Sequence, residues 1–522
     1  MNPPFGTPDT SGYSHAALAP LDSHNQALAA NVHPTEWQNP TPPPFYDLVV
    51  IGAGTAGLIC AAGAAGLGAR TALIESDLMG GDCLNVGCVP SKALLRASRA
   101  AADTRDLQEF GIRLSGDIQI DFAITMERLR KLRAGISEHD SAARFKGLGV
   151  DVFLGAGTFE SARSITVAGQ SLKFRHAVIA TGARAAIPHV PGLSDIRYYT
   201  NETIFTLTSL PKRLAIIGGG PIGCELAQAF ARLGSAVTIL TKGGAIIPRE
   251  DPDAAVLISA ALQRDGVEIV AGARITSASQ NELHTTLAVK TQGTTREVMA
   301  DAVLVATGRA PNVQSLNLAG AGVKFDARSG VAVDDYLRTT NPRIYAAGDV
   351  CSNLKFTHAA DAMARIVIQN ALFFGRKKAS DLVIPWCTYT DPEVAHVGID
   401  AAAAATLGPA VDTVKISLGD IDRAVLNSQT DGFLKLHVMK RSGQIAGATL
   451  VAPHAGEMIS EITLAMTAGI SLGKIGSVIH PYPTESEIIK RAADTYNRRR
   501  LTPQTRRLLS GIIKVGRVLK PA

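Results

Sequence analysis

Cys83 and Cys88 stand in "GGDCLNVGCVPSK" with four residues between them, framed by Gly80, Gly81, Gly87 and Pro90 and followed by Lys92. Two cysteines at that distance can clip a metal, form a structural disulfide, or cycle between thiol and disulfide. The whole chain has six cysteines in 522 residues, the others being Cys60, Cys224, Cys351 and Cys387. A disulfide-stapled secreted domain would be shorter and denser in cysteine. The N-terminus lacks the basic-then-apolar pattern of a signal peptide, and no apolar run reaches the length of a spanning helix. A cytoplasmic location is therefore expected. In a reducing compartment the pair reads as catalytic or metal-binding rather than structural.

Two glycine patterns set the frame for this pair. Leu48 to Ile51 form a continuous apolar run, followed by Gly52, Gly54 and Gly57 in G-x-G-x-x-G spacing, a small-residue helix, and the strand "TALIE" ending in Glu75. A strand before the glycines, a helix after them and an acid at the next strand end predict a dinucleotide site. The glycines let backbone N–H groups approach a pyrophosphate, and Glu75 stands at the distance of a ribose hydroxyl. The pattern repeats at Gly218, Gly220 and Gly223. Counting 23 residues on from Gly52 reaches Glu75; the same count from Gly218 reaches Thr241, with Lys242 next. An acid there would repel a 2′-phosphate, whereas Thr241, Lys242 and Arg249 accommodate one. NADP(H) is therefore expected over NAD(H) at the second site.

Two such sites in one chain suggest a flavin exchanging electrons with a nicotinamide. "AVIATGARAAIP", with Thr181 and Gly182, and "AVLVATGRAPN", with Gly308, read as the exits from the two nucleotide layers. Asp349 ends the strand of "RIYAAGDV", placed for ribityl hydroxyls. Beyond Val383 the texture changes to alternating strands and helices with no phosphate loop, an α+β domain. The expected fold class is thus α/β, with two Rossmann-type domains and a C-terminal α+β domain.

Composition is that of an ordinary soluble protein, 46% apolar and 19% charged. Aromatic residues are few, which argues against stacking platforms for single-stranded nucleic acid. The net charge of +6 is concentrated at the end: Arg498, Arg499, Arg500, Arg506, Arg507, Lys514, Arg517 and Lys520 follow one another with no acid among them. The body is near neutral and offers no nucleic-acid surface.

Taken together, the two glycine units, the C-x-x-x-x-C pair and the "GD" contact resemble the flavoprotein pyridine nucleotide-disulfide oxidoreductases, over about residues 45–497. "VGCVPSKALLRASR" is most similar to the mercuric-reductase branch. Residues 1–44, rich in Pro, Ser, Thr and Asn, read as a Pro-rich flexible tail in which "ALAPLDSHNQALAANV" could form a short helix that packs on the body, and the cations from Arg498 mark a basic tail over 498–522. The resemblance implies an FAD domain over 45–190 and 313–384, an NAD(P) domain over 191–312 and a dimerisation domain over 385–497. FAD, NADP(H) and a homodimer follow from it. It also implies that Cys83 and Cys88 cycle between disulfide and dithiol, Cys88 facing the flavin and Cys83 meeting substrate, and that Lys92 pairs with Glu225. A helix starting near Pro90 places its N-terminus at Cys88 and favours the thiolate. Zinc would need further ligands, and none stands nearby. Cys60, Cys224 and Cys351 read as packing residues, and no resident metal is expected.

Two departures bear on the substrate. Disulfide reductases carry a His-Pro with Glu five residues after the His as an acid–base couple. In "IHPYPTESE" both His480 with Glu485 and Tyr482 with Glu487 have that spacing, and the Pro-Thr alignment favours the tyrosine register. Tyrosine, with an ordinary pKa near 10, is a poor base at neutral pH, which favours a metal or another acceptor over a disulfide. Conversely, mercuric reductases end in a vicinal cysteine pair, and here no cysteine follows Cys387. Hg(II) would then reach Cys83 and Cys88 by direct exchange from small thiols. Reduction of Hg(II) or a related soft metal or oxidant is the first reading. Turnover of a small disulfide or dithiol is the second, and a non-catalytic flavin scaffold at membranes is the third. Leu508, Ile512, Val515 and Leu519 fall on one helical stripe of the basic tail, which reads either as a helix on an anionic membrane or as one packed on the dimer.

Overall fold

A computed structural model describes residues 18–519 apart from 106, 114, 117 and 292; residues 1–17 and 520–522 of the two tails, Lys520 among them, lie outside. The chain divides into two compact units, one holding residues up to Ile246 and Leu262–Leu382, the other Ile247–Ala261 and everything from Val383.

The first unit contains both nucleotide layers. Leu48, Val49 and Val50 are fully buried because the two faces of their strand, Tyr46–Ile51, each meet a core, Leu48 and Val50 on one side and Val49 on the other; its parallel neighbours are Thr71–Glu75 and Gln170–Ile179. Val150–Leu154 extends the sheet beyond Thr71–Glu75, and Ile344–Ala346 pairs parallel to Gln170–Ile179. The second layer orders Val267–Ala271, Ala236–Thr241, Arg213–Ile217 and Ala302–Val305 as four parallel strands. A three-stranded antiparallel sheet, Arg274–Gln280, Thr285–Thr291 and Thr294–Ala300, sits in the same unit.

The second unit is built on a five-stranded antiparallel sheet in the order Trp386–Thr388, Glu393–Gly398, Ile445–Ala452, Phe433–Met439, Val411–Ser417. The helices Ala455–Thr467 and Glu487–Arg499 supply Ile462, Ile488 and Ile489 to its core. Residues 247–261 belong to this unit although they fall within the stretch expected to form the nucleotide domain. The reason is electrostatic and polar: buried Asp251 takes Lys435 at 2.7 Å, Asp253 takes Lys435 and Lys415 at 2.8 Å, and Glu250 accepts from Trp386 Nε1 at 2.8 Å.

From residue 18 the N-terminal stretch is not a flexible tail. Ser23–Val32 is a helix capped by Asp22, whose side chain accepts from Asn25 N at 2.9 Å. Leu28 and Val32 are fully buried, each contributing about 2 kcal/mol of apolar burial, and Asp22 pairs with Arg130 at 2.5 Å. The helix lies within "ALAPLDSHNQALAANV", the segment expected to form one that packs on the body. Among the described residues no helix is long and apolar enough to cross a membrane.

Candidate active site

Both glycine loops have the same division of labour. Gly52 (φ +100°) and Gly218 (φ +121°) make the turn, and a Cβ on either would stand 2.4 Å from the carbonyl oxygen of Ala180 or 2.3 Å from that of Ala306. Gly57 and Gly223 press their helices onto the turn: a Cβ there would meet the carbonyl oxygens of Gly52 and Gly218 at 1.7 and 2.1 Å. The middle glycines are open, with nothing within 4 Å of a Cβ on Gly220 and only the Cα of Gly81 at 3.7 Å from one on Gly54. An open backbone at a helix N-terminus is what a pyrophosphate needs, so both loops fit a dinucleotide. Gly182 (φ +67°) and Gly308 (φ +130°) are likewise open.

The acids and cations around the first loop are already engaged. Glu75 accepts from Ala53 N at 2.6 Å and Asp77 N at 2.9 Å, and burial raises its pKa. A carboxylate has lone pairs left for a ribose hydroxyl. Asp349 stands 3.4 Å from Arg309 Nε, and burial raises its carboxyl despite that charge. Arg309 also donates to Asp82 and, at 2.5 Å, to the Ala183 carbonyl. Arg309 was missed in the sequence although it directly follows Gly308. In the second loop Thr241 is buried against Gly219, and Lys242 beside it is exposed.

The cysteine segment is laid onto the first loop. Gly80 N donates to the Ala53 carbonyl at 2.8 Å, and Asn85 Nδ2 ties back to the carbonyls of Met79 and Gly81. Buried Arg133 braces it from behind, donating to the Asn85 carbonyl and to Asn25 Oδ1 at 2.6 Å each. The helix Cys88–Asp103 begins at Cys88 itself, two residues before the start expected at Pro90; proline is tolerated in a first turn that needs no intrahelical N–H bond.

The two sulfurs lie within hydrogen-bonding reach of one another. Cys83 is half-buried and Cys88 exposed. Their protonation differs sharply. A hydrogen bond from Cys83, a second from Thr357 and the charge of Lys92 outweigh burial and bring Cys88 down to about 6. Cys83 moves up, because it keeps its proton on the Cys88 thiolate and is partly buried. Thr357 Oγ1 lies 3.4 Å from Cys88 and opens the helix Thr357–Leu372, so two helix N-termini meet at one sulfur. No sequence signal marked Thr357. Lys92 Nζ donates to Glu225 Oε2 at 2.9 Å, with the carboxylate almost wholly buried in the helix Pro221–Arg232 of the second layer. Burial instead pushes the Cys60 and Cys351 thiols up to about 12. Cys224 donates to the Gly219 carbonyl at 3.6 Å.

In the second unit the His480–Glu485 couple is not formed. His480 Nε2 lies 3.0 Å from Glu461 Oε1, its side chain only 5% exposed. Glu485 points into the domain and accepts from Asn427 Nδ2 at 3.2 Å, because the chain turns between Pro481 and Glu487. Tyr482 is 70% exposed, donates to Asp422 Oδ2 at 2.8 Å and feels the charge of Glu487, which raises its pKa further. Glu461 and Asp422 lie 19 and 60 residues from their partners and left no trace in the sequence pattern.

Two glycine cradles for nucleotides and a polarised thiol–thiolate pair beside one of them define an NAD(P)H-dependent flavoprotein disulfide oxidoreductase. The sequence matches the pyridine nucleotide-disulphide oxidoreductase family over residues 46–364 and its dimerisation domain over 384–493, and the chain belongs to that family. It is 34% identical to mercuric reductase of Staphylococcus aureus, covering 87% of this chain and 83% of the relative. It is 35% identical to dihydrolipoyl dehydrogenase of Geobacillus stearothermophilus, covering 86% and 95%. Among solved structures it is similar to the Cu(II) complex of the HOCl-induced flavoprotein disulfide reductase RclA from Escherichia coli, with a TM-score of 0.77, 30% identity and coverage of 85% and 99%. The family binds FAD and uses NAD(P)H, and its dimerisation domain supports a homodimer. The non-catalytic scaffold finds no support among these relatives.

Proposed function

We propose that the protein takes electrons from NADPH and delivers them through Cys83 and Cys88 to Hg(II) or a related thiol-reactive metal ion or oxidant. The observation that carries this reading is the placement of the pair, Cys83 and Cys88 within hydrogen-bonding reach of one another beside the first nucleotide loop, with Lys92 and Thr357 at Cys88. NADPH and FAD, when bound, supply and relay two electrons. Gly54 and Gly220 offer backbone to their pyrophosphates, Glu75 and Asp349 take sugar hydroxyls, and Thr241 with Lys242 favours the 2′-phosphate. Cys88 is the flavin-side sulfur and stays charged on the support of Lys92, Thr357 and the two helix N-termini. Cys83 is the interchange thiol. It gives up its proton as it takes the metal from a small-thiol complex, and that proton goes to the departing thiolate. The net reaction is NADPH plus Hg(II) giving NADP⁺, a proton and Hg(0).

An exposed Tyr482 where disulfide reductases place histidine supports the metal reading, since reducing a metal ion needs no protonated leaving thiol at that position. The Cu(II) complex of the Escherichia coli relative supports the same substrate class. The His480–Glu461 contact favours a second reading, turnover of a small disulfide or dithiol, because an imidazole held by a carboxylate is the usual acid–base unit. The test is to reduce the holoenzyme anaerobically with NADPH, then mix it with thiol-complexed Hg(II), Cu(II) or lipoamide while following the flavin spectrum. Rapid reoxidation by the metal with Hg(0) release supports the first reading. Rapid reoxidation by lipoamide alone replaces it with the second.

A further inference from the structure

The last helix, Pro503–Leu519, has no place in the redox chemistry. Its 17 residues span about 25 Å, and every side chain described along it is exposed. At 100° per residue Leu508, Ile512, Val515 and Leu519 fall within an arc of about 60°, with Leu509 widening it on one side. Arg506, Arg507, Lys514 and Arg517 gather within about 100° on the opposite side. Exposure of the stripe runs from 45% at Leu509 to 74% at Leu519. A helix packed on its own domain would bury that stripe, and here each of its described residues is exposed.

We infer that this helix docks the enzyme on the surface of an anionic lipid bilayer, lying in the interface plane with Leu508, Ile512, Val515 and Leu519 among the upper acyl chains. Charge selects the occupant. From Arg498 onward the chain carries cations and no acid, so it complements a negative surface without any opposing term of its own. Spanning is excluded by length and charge. The family's dimerisation domain brings two such helices into one particle, so two weak attachments act together. The redox unit then works beside a membrane without being embedded in it.

The experiment is flotation of the full-length FAD-loaded protein with vesicles of equal phosphatidylglycerol and phosphatidylcholine, and with phosphatidylcholine alone, at low and high salt. Flotation with the anionic vesicles, weakened by salt, is expected. Lys514→Gln and Arg517→Gln should each lower vesicle affinity about fivefold, and Ile512→Asp should abolish flotation while NADPH-dependent turnover is unchanged. Equal flotation with neutral vesicles, or none at low salt, overturns the proposal. So does dissociation of the homodimer by Ile512→Asp on size-exclusion without vesicle binding by the parent protein, since the stripe would then be a subunit interface.

Discussion

A Cβ on Gly81 would stand 2.7 Å from the Cα of Gly54, so the cysteine segment rests directly on the middle glycine of the first nucleotide loop. That contact fixes the distance between the two parts of the site that must exchange electrons. Gly81 holds φ at +56°, which an L side chain adopts at a cost of about 1 kcal/mol even with free space. Gly81→Ala is therefore expected to destabilise the protein by about 2 to 4 kcal/mol and to weaken flavin retention. Thermal unfolding with and without added FAD measures both; an unchanged midpoint in each would remove the contact from the mechanism.

Lys92 lowers the Cys88 pKa and Glu225 raises it, so their neutral variants should move it in opposite directions. Lys92→Gln should raise the titration midpoint from about 6 by about one pKa unit or less, because the ammonium is partly exposed. Glu225→Gln should lower it or leave it in place. Thiolate absorbance of the reduced enzyme against pH reads the sign, and shifts in the same direction in both variants would refute this account.

Tyr482 is exposed and His480 is held against Glu461, so their variants should separate chemistry from stability. Tyr482→Phe should change stability by no more than about 0.5 kcal/mol and leave Hg(II)-dependent turnover within about threefold, because reducing a metal ion needs no proton donor there. His480→Ala should cost about 1 to 2 kcal/mol of stability with turnover largely retained. A large loss of Hg(II) turnover in either variant would show that an acid–base group takes part.

Burial raises Glu250 to about 7 from an ordinary 4.5. The folded state then binds this proton more tightly than the unfolded chain, so the fold loses stability as pH rises from about 4.5 to about 7 and is level beyond. Glu250→Gln keeps an acceptor for Trp386 and removes the titration. It should stabilise the protein by up to roughly 3 kcal/mol above pH 7 and by little below pH 4.5, as denaturant midpoints across that range would show.

Lys242 is the exposed cation at the end of the strand Ala236–Thr241. Lys242→Ala should lower kcat/KM for NADPH about tenfold and leave that for NADH unchanged. Equal losses with both nucleotides would show that Lys242 does not read the 2′-phosphate.

Local backbone requirements made much of this protein legible from sequence. Gly52 and Gly57, like Gly218 and Gly223, are the only residue type that the loop geometry admits, and the unbroken run Leu48–Ile51 can only be a strand covered on both sides. Such constraints act within a few residues, and so they print a pattern. The fold class, both nucleotide loops and the cysteine pair followed from them. Partners distant in sequence left no pattern. Thr357 on Cys88, Glu461 on His480, Asp422 on Tyr482 and Asp251 beneath Lys435 are set by how whole elements pack. Their spacing follows no period, and the spacing that His480 and Glu485 do share was undone by a turn that points Glu485 inward. Sequence determined which backbone could cradle a nucleotide and which thiols stood near it. Only tertiary packing decided which sulfur keeps its proton, because that choice depends on charges and helix ends converging from separate parts of the chain.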